Sequence, residues 1–234
     1  MAKICIDPGH GGKDSGALGF GRKEKDDVLK LALKIKDLLE TQGVTVIMTR
    51  STDKDITIAN RTALANKEKC DYFLSLHRDA FSNESANGSN IYIYSKAPAA
   101  TEKKAETIYN AVINATGFRK RGLIKGAANF NDYGVNRDTV MAASVLELGF
   151  ITNKSDNAIF DSKNDAIAEA IAKALCSIVG IVYKEKAEPK APDNNKKVNY
   201  IVQAGAFSEK KNAEALVKKL KAAGFDAFIS NVNS

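Results

Sequence analysis

Two histidines, His10 and His77, are all that this chain of 234 residues contains, and each directly follows an apolar run that reads as a buried strand, "KICIDPGH" and "DYFLSLH". In an open α/β sheet the carboxyl ends of strands are where ligands and reactive groups collect. Paired imidazoles suit zinc, which in catalytic sites takes three His or Glu ligands and keeps a fourth position for water. The third ligand is then expected to be a carboxylate. Glu24 is the best candidate, because it opens the first predicted helix behind a glycine-rich segment able to fold back beside His10. Glu40 and Glu68 close their predicted helices and so belong to the opposite rim. Asp7 and Asp14 stand as further ligands, or as partners that orient a histidine. A second kind of carboxylate is Glu147, set between two leucines in "SVLELGF". A glutamate on a buried strand is costly unless it is paired or used. It reads either as half of a structural ion pair or as a general base lying across the metal from its ligands.

The glycine loop of "DPGHGGKDSGALGFGRKEKD" could instead cradle a phosphate, but the pattern opposes it. A Walker loop needs G-x-x-x-x-G-K-[ST]. Here Asp7 takes the place of the first glycine and Asp14 that of the hydroxyl residue, so both departures bring negative charge towards a phosphate. Gly9, Gly11 and Gly12 are read as allowing a sharp turn and close approach, so that His10 and the returning Glu24 share one metal.

The elements that must position these residues alternate. "VTVIMT", "SNIYIYS" and "ASVLELGF" add strands to the two that end at the histidines. "DDVLKLALKIKDLLETQG" sets Val28, Leu31, Ala32, Ile35, Leu38 and Leu39 on one helical face before Gly43. "ITIANRTALANKEK", "PAATEKKAETIYNAVINATG" and "NDAIAEAIAKALCSIVG" read as three more helices, and the stretch from about Lys120 to Thr139 reads as irregular. This predicts an α/β fold with a mainly parallel twisted sheet and helices on both faces. The pattern breaks near residue 181. "KEKAEPKAPDNNKK" is charged, proline-bearing and without apolar periodicity, so residues 181–197 read as a solvated linker between a domain at 1–180 and a small βαβ unit at 198–234.

Composition sets limits. No run approaches the roughly 20 apolar residues of a membrane span. Cys5, Cys70 and Cys176 lie in apolar stretches without ligand-like spacing and read as reduced core residues. The net charge is +7, and residues 181–234, with ten lysines against six acids, hold +4 of it. A basic tail favours polyanions, and nucleic acid and anionic wall polymer both qualify.

"DPGHGGKDSGA", "KEKD", "SLHRDA" and "VLELGFITN", in this order, resemble the zinc-dependent N-acetylmuramoyl-L-alanine amidases over about residues 3–180. The resemblance implies His10, Glu24 and His77 as ligands of one catalytic Zn2+ and Glu147 as the catalytic glutamate. Arg61, in "IANRTALAN", matches a family position expected to be structural. The implied reaction is hydrolysis of the amide between the lactyl group of N-acetylmuramic acid and L-alanine of the stem peptide, with zinc activating a water. The partner implied is peptidoglycan, not nucleic acid. The short segment after "SLHRDA" leaves no room for a long blocking helix, which predicts constitutive activity. A zinc peptidase acting on stem peptides and a non-catalytic wall-binding protein are the competing readings, and the second is opposed by all four positions being filled.

The tail "YIVQAGAFSEKKNAEALVKKLKAAGFDAFIS" is similar to the first half of a SPOR domain, which implies binding to glycan strands. Half a module buries little apolar surface. Either two tails pair into one sheet, making a homodimer through the C-terminal unit, or the tail orders only on glycan or is cut from a longer parent; the first is the expectation tested. Nothing at Met1 has the basic, apolar and small-residue order of a secretory leader. The expectation is cytoplasmic synthesis followed by release through a holin lesion or lysis, as for an endolysin or a mother-cell autolysin.

Overall fold

A computed structural model describes residues 2–126, 132–185 and 204–229. The chain divides into two compact units, Met1–Lys184 and Glu185–Ser234.

The first unit is built on a six-stranded sheet. Its strands are β1 (Lys3–Pro8), β4 (Thr45–Met48), β5 (Tyr72–Asp79), β6 (Ser89–Ile93), β7 (Lys120–Lys125) and β8 (Ala142–Phe150), in the spatial order β4-β1-β5-β8-β6-β7. β4, β1, β5 and β8 are mutually parallel; β6 runs against β8 and carries β7 parallel to itself. The sheet is therefore mainly parallel, as the alternation of strands and helices implies. A two-stranded hairpin, β2 (Leu18–Gly19) with β3 (Arg22–Lys23), lies in the glycine-rich segment.

Helices cover both faces. α1 (Glu24–Thr41), α3 (Ala99–Thr116) and α6 (Asn164–Ile178) pack on one face, where Leu31, Ile35, Ile108, Val112, Ile171 and Leu175 meet Ile4, Ile6, Leu74, Leu76 and Leu146 in the main core. Val28, Leu31, Ala32, Ile35 and Leu39 are buried and Leu38 is half-buried, so the amphipathic face of α1 is the one its spacing dictates. The opposite face carries a smaller apolar cluster of Cys5, Phe73, Ala143 and Val145 under α2 (Ile58–Glu68) and α4 (Gly134–Arg137). α5 (Lys154–Ser162) follows β8 directly. The three cysteines are buried and unbridged. Ile181 and Tyr183 still pack on the main core, and Gln42 bonds the backbone of Lys184 on both sides, which ties the chain down up to that residue.

One expectation needs correction. The stretch from Lys120 is not irregular: Lys120–Lys125 pair with β6, and Gly134–Arg137 make one helical turn. Its single glycine and three exposed cations hide the strand, because an edge strand has only one neighbour and needs no apolar run. In the second unit α7 (Lys210–Ala222) forms where its apolar spacing places a helix. Phe225–Ile229, read as a strand, form no ladder with another described segment, and the Phe225 amide bonds the Leu220 carbonyl at the end of α7. The other expected strand lies mostly in residues 198–203, outside the described residues.

Among the described residues no helix is long and apolar enough to cross a membrane.

Candidate metal centre

Strand periodicity decides which side chains meet. Side chains alternate across a sheet, so Asp7, Ser75, His77 and Glu147 share the face that carries the smaller apolar cluster. His77 of β5 lies in register with Glu147 of β8, which in turn lies in register with Asn90 of β6. All of this is at the carboxyl ends of the parallel strands.

His10 reaches the same place through the loop after β1. Its backbone is left-handed, with φ 58°, a conformation that costs a non-glycine residue energy and persists only where surrounding structure enforces it. The enforcement is a pair of guanidinium groups. Arg61 donates to the carbonyls of Pro8 at 2.8 Å and His10 at 2.7 Å; Arg50 donates to those of Pro8 at 3.0 Å and Gly9 at 2.8 Å. Arg61 also pairs with the buried Asp7 carboxylate at 2.6 Å, and Thr49 and Ser75 hydroxyls complete that carboxylate's partners, each at 2.6 Å. Asp7 is thus fully engaged in the scaffold and turned away from ligand duty. Asp14 instead bonds Nδ1 of His10 at 2.7 Å, which leaves Nε2 to face the centre.

Glu24 is the first residue of α1 and is buried. Its Oε2 lies 3.1 Å from His10 Nε2 and its Oε1 2.8 Å from His77 Nδ1. Backbone amides of Ala17 and Arg78 donate to the same carboxylate at 2.8 and 2.9 Å. Close packing makes this possible. A Cβ on Gly9 would fall 2.3 Å from the His77 ring, and one on Gly16 would fall 2.6 Å from both Glu24 Oε2 and the His10 ring. The two imidazoles are 4.9 Å apart, edge to face. One ligand atom from each of His10, Glu24 and His77 lies within 4.8 Å of the others. Two neutral imidazoles and one carboxylate are a donor set that fits zinc.

Electrostatics follow from this crowding. Burial alone would raise the Glu24 carboxyl, but hydrogen bonds from His10 and His77 outweigh it and hold it well below the usual carboxylate range. Burial opposes a charge on His10, and Glu24 and Asp14 outweigh it in turn, raising that imidazole. Glu147 has no such support. Burial, reinforced by the nearby charges of Glu24 and Asp79, pushes its carboxyl well above the ordinary value, and Arg78 offsets only part of this. Its Oε2 is buried without a hydrogen-bond partner, as is Oδ1 of neighbouring Asn90. Among the described residues Glu147 takes part in no ion pair, which opposes the reading of it as half of one.

His10, Glu24, His77 and Glu147, far apart in sequence, converge on one sheet end. Two further residues shape the site: Arg50 follows a strand with nothing in the sequence to distinguish it, whereas Gly16 is marked by its place inside the glycine-rich segment.

Over residues 4–177 the chain matches the family model described as N-acetylmuramoyl-L-alanine amidase. The chain belongs to this amidase family. A second family model, the SPOR domain, matches residues 196–234. The N-acetylmuramoyl-L-alanine amidase CwlM of Bacillus licheniformis is 36% identical over 231 residues, spanning 98% of this chain and 85% of that protein. The sporulation-specific N-acetylmuramoyl-L-alanine amidase of Bacillus subtilis (strain 168) is 35% identical over 232 residues, spanning 98% and 84%. The catalytic domain of the amidase CwlV from Bacillus (Paenibacillus) polymyxa var. colistinus superposes with a TM-score of 0.71 at 30% identity, covering 77% of this chain and 99% of that one. The α/β architecture of the first unit is thus the amidase fold.

Proposed function

We propose that this chain is a zinc-dependent peptidoglycan amidase that hydrolyses the amide joining the lactyl group of N-acetylmuramic acid to L-alanine. The observation that carries the reading is the convergence of His10, Glu24 and His77 within 4.8 Å beside a buried carboxylate whose Oε2 has no partner. Family membership and the relatives named above supply the substrate class.

Zinc, when bound by His10, Glu24 and His77, supplies Lewis acidity to the scissile carbonyl and the attacking water. Asp14 fixes the His10 tautomer by accepting at Nδ1, so that Nε2 is the ligand atom. Glu147 takes the proton of the attacking water at Oε2 and delivers it to the leaving amine. Burial raises the affinity of Glu147 for protons, which makes it a better acceptor than a carboxylate of ordinary pKa. The SPOR domain at 196–234 holds the enzyme on glycan strands of the wall. Nine residues, 80–88, join β5 to β6 without a helix, and this open rim supports constitutive activity. The release route, by lysis or holin, is read from the gene's neighbours: holin and tail genes for a phage enzyme, sporulation genes for a mother-cell autolysin.

The test separates metal from turnover. His10→Ala, Glu24→Ala and His77→Ala are expected to abolish stoichiometric zinc, and Glu147→Ala to keep zinc while lowering kcat by 10²-fold or more. Metal analysis with muropeptide hydrolysis reads both. A fully active Glu147→Ala protein overturns the mechanism. Release of stem-peptide fragments that leave the lactyl amide intact favours the zinc peptidase, and absence of any hydrolysis by the zinc-loaded protein favours the binding-protein reading.

A further inference from the structure

Strand β7 presents one cation that the proposed chemistry does not use. Ser89 of β6 stands opposite Lys120 and Asn90 opposite Gly122, so Arg121 is the extra residue of a bulge. Bulges re-aim side chains beside functional sites, and this one is held from below. The buried Tyr109 hydroxyl accepts from the backbone amides of Arg121 and Gly122 at 2.9 and 2.8 Å and donates to the Ser89 carbonyl at 2.8 Å. Because Asn90 is also in register with Glu147, the bulge ends the row of residues that starts at the candidate base.

The guanidinium of Arg121 lies over the Phe150 ring, 5.0 Å from its centroid, and Phe150 is three residues beyond Glu147. Arg121 is exposed, and among the described residues its guanidinium makes one long bond, 3.4 Å, to the Asn87 carbonyl. Among the described residues no carboxylate oxygen lies within 4.0 Å of it. Nearby cations differ: Lys125 pairs with Glu102, and Lys120 bonds the Asn110 side chain. With the Phe150 ring on its face, the guanidinium keeps in-plane donors beyond the one on Asn87, and such donors can take a carboxylate in two parallel bonds.

We infer that Arg121 is a specificity-determining residue that receives a free carboxylate of the stem peptide while the lactyl amide lies at the His10, Glu24 and His77 centre. The inference rests on the amidase reading. It assigns as preferred substrates those whose stem peptide carries an unamidated carboxylate near the scissile bond.

The experiment compares wild type, Arg121→Ala, Arg121→Met and Arg121→Lys on two soluble substrates. These are N-acetylmuramoyl-L-alanyl-D-glutamyl-L-lysine and its counterpart with the α-carboxyl of the D-glutamyl residue amidated. Wild type is expected to favour the free acid about tenfold in kcat/KM, through KM. Arg121→Ala and Arg121→Met should lose that preference by raising KM for the acid alone, with kcat and zinc content unchanged, and Arg121→Lys should restore part of it. Arg121→Met keeps an unbranched chain over Phe150, so it covers the case in which the alanine variant unfolds. Equal losses on both substrates, or none on the acid, overturn the inference while leaving the amidase reading intact. If zinc-loaded wild type cleaves neither substrate, the amidase reading fails and the inference falls with it.

Discussion

Glu147 carries a burden that stability alone would not select. Its carboxyl is buried, one oxygen lacks a partner, and the charges of Glu24 and Asp79 oppose its ionisation. The folded protein therefore holds this proton more tightly than the unfolded chain does. The sign follows: where the native state binds the extra proton, stability falls as pH rises above the unfolded value. Glu147→Gln removes the titration and keeps the shape. In metal-free protein the variant is expected to melt at a higher temperature than wild type at pH 7 to 8, with the difference shrinking towards pH 4, while hydrolysis by the zinc-loaded variant is lost. Thermal unfolding across that range checks it, and a variant less stable than wild type at pH 8 contradicts it. The same residue marks how far the sequence was legible. A glutamate between leucines announces its burial cost, so Glu147 stood out. Asn90 and Arg121 did not, since their meaning depends on register across β6, β7 and β8, and pairing between strands is not written in local composition.

At the level of elements, the carboxyl end of β1 is the point on which the site turns. Three carbonyls in succession, those of Pro8, Gly9 and His10, are capped by Arg50 and Arg61, and Arg61 is neutralised by Asp7. Removing one partner of such a buried pair leaves the other charge uncompensated, at a cost of about 3–5 kcal/mol. Asp7→Ala and Arg61→Ala are each expected to destabilise the fold by about that amount in denaturant titrations, with a double-mutant cycle showing strong coupling. Gly9→Ala should act differently. Its Cβ would press on the His77 ring at 2.3 Å, so zinc affinity should fall much more than stability, which metal competition against a chelator measures. α1, α2, α3 and α6 could be read from the sequence because a 3.6-residue apolar period survives wherever a helix packs on a sheet. The β2–β3 hairpin, β7, α4 and α5 could not. They are short or lie at an edge, and tertiary neighbours rather than periodicity define them.

The whole molecule joins an amidase unit to a SPOR domain. The first unit contains the complete candidate site and a continuous core that ends with Tyr183 against it, so residues 1–184 should fold, bind zinc and cleave soluble muropeptides at the full-length rate. Lysis of intact walls should drop about tenfold or more, because the proposed glycan contact of the second unit is gone and with it the gain from two-point attachment. Circular dichroism, zinc content and the two activities measured in parallel test this, and an unfolded fragment or undiminished wall lysis refutes it. The second unit has its own unmet need. α7 buries none of its residues, and Phe207, Phe225 and Phe228 are 48%, 65% and 68% exposed. Aromatic surface of this kind seeks cover, and we propose that a second copy of the same unit provides it, pairing two tails into a dimer. Sedimentation decides the matter without reference to activity. A full-length dimer beside a monomeric 1–184 fragment is the expected result, and Phe225→Asp in the full chain should shift it to monomer. Monomers in both proteins at concentrations of tens of micromolar would leave wall glycan, rather than a second chain, as the cover for that surface.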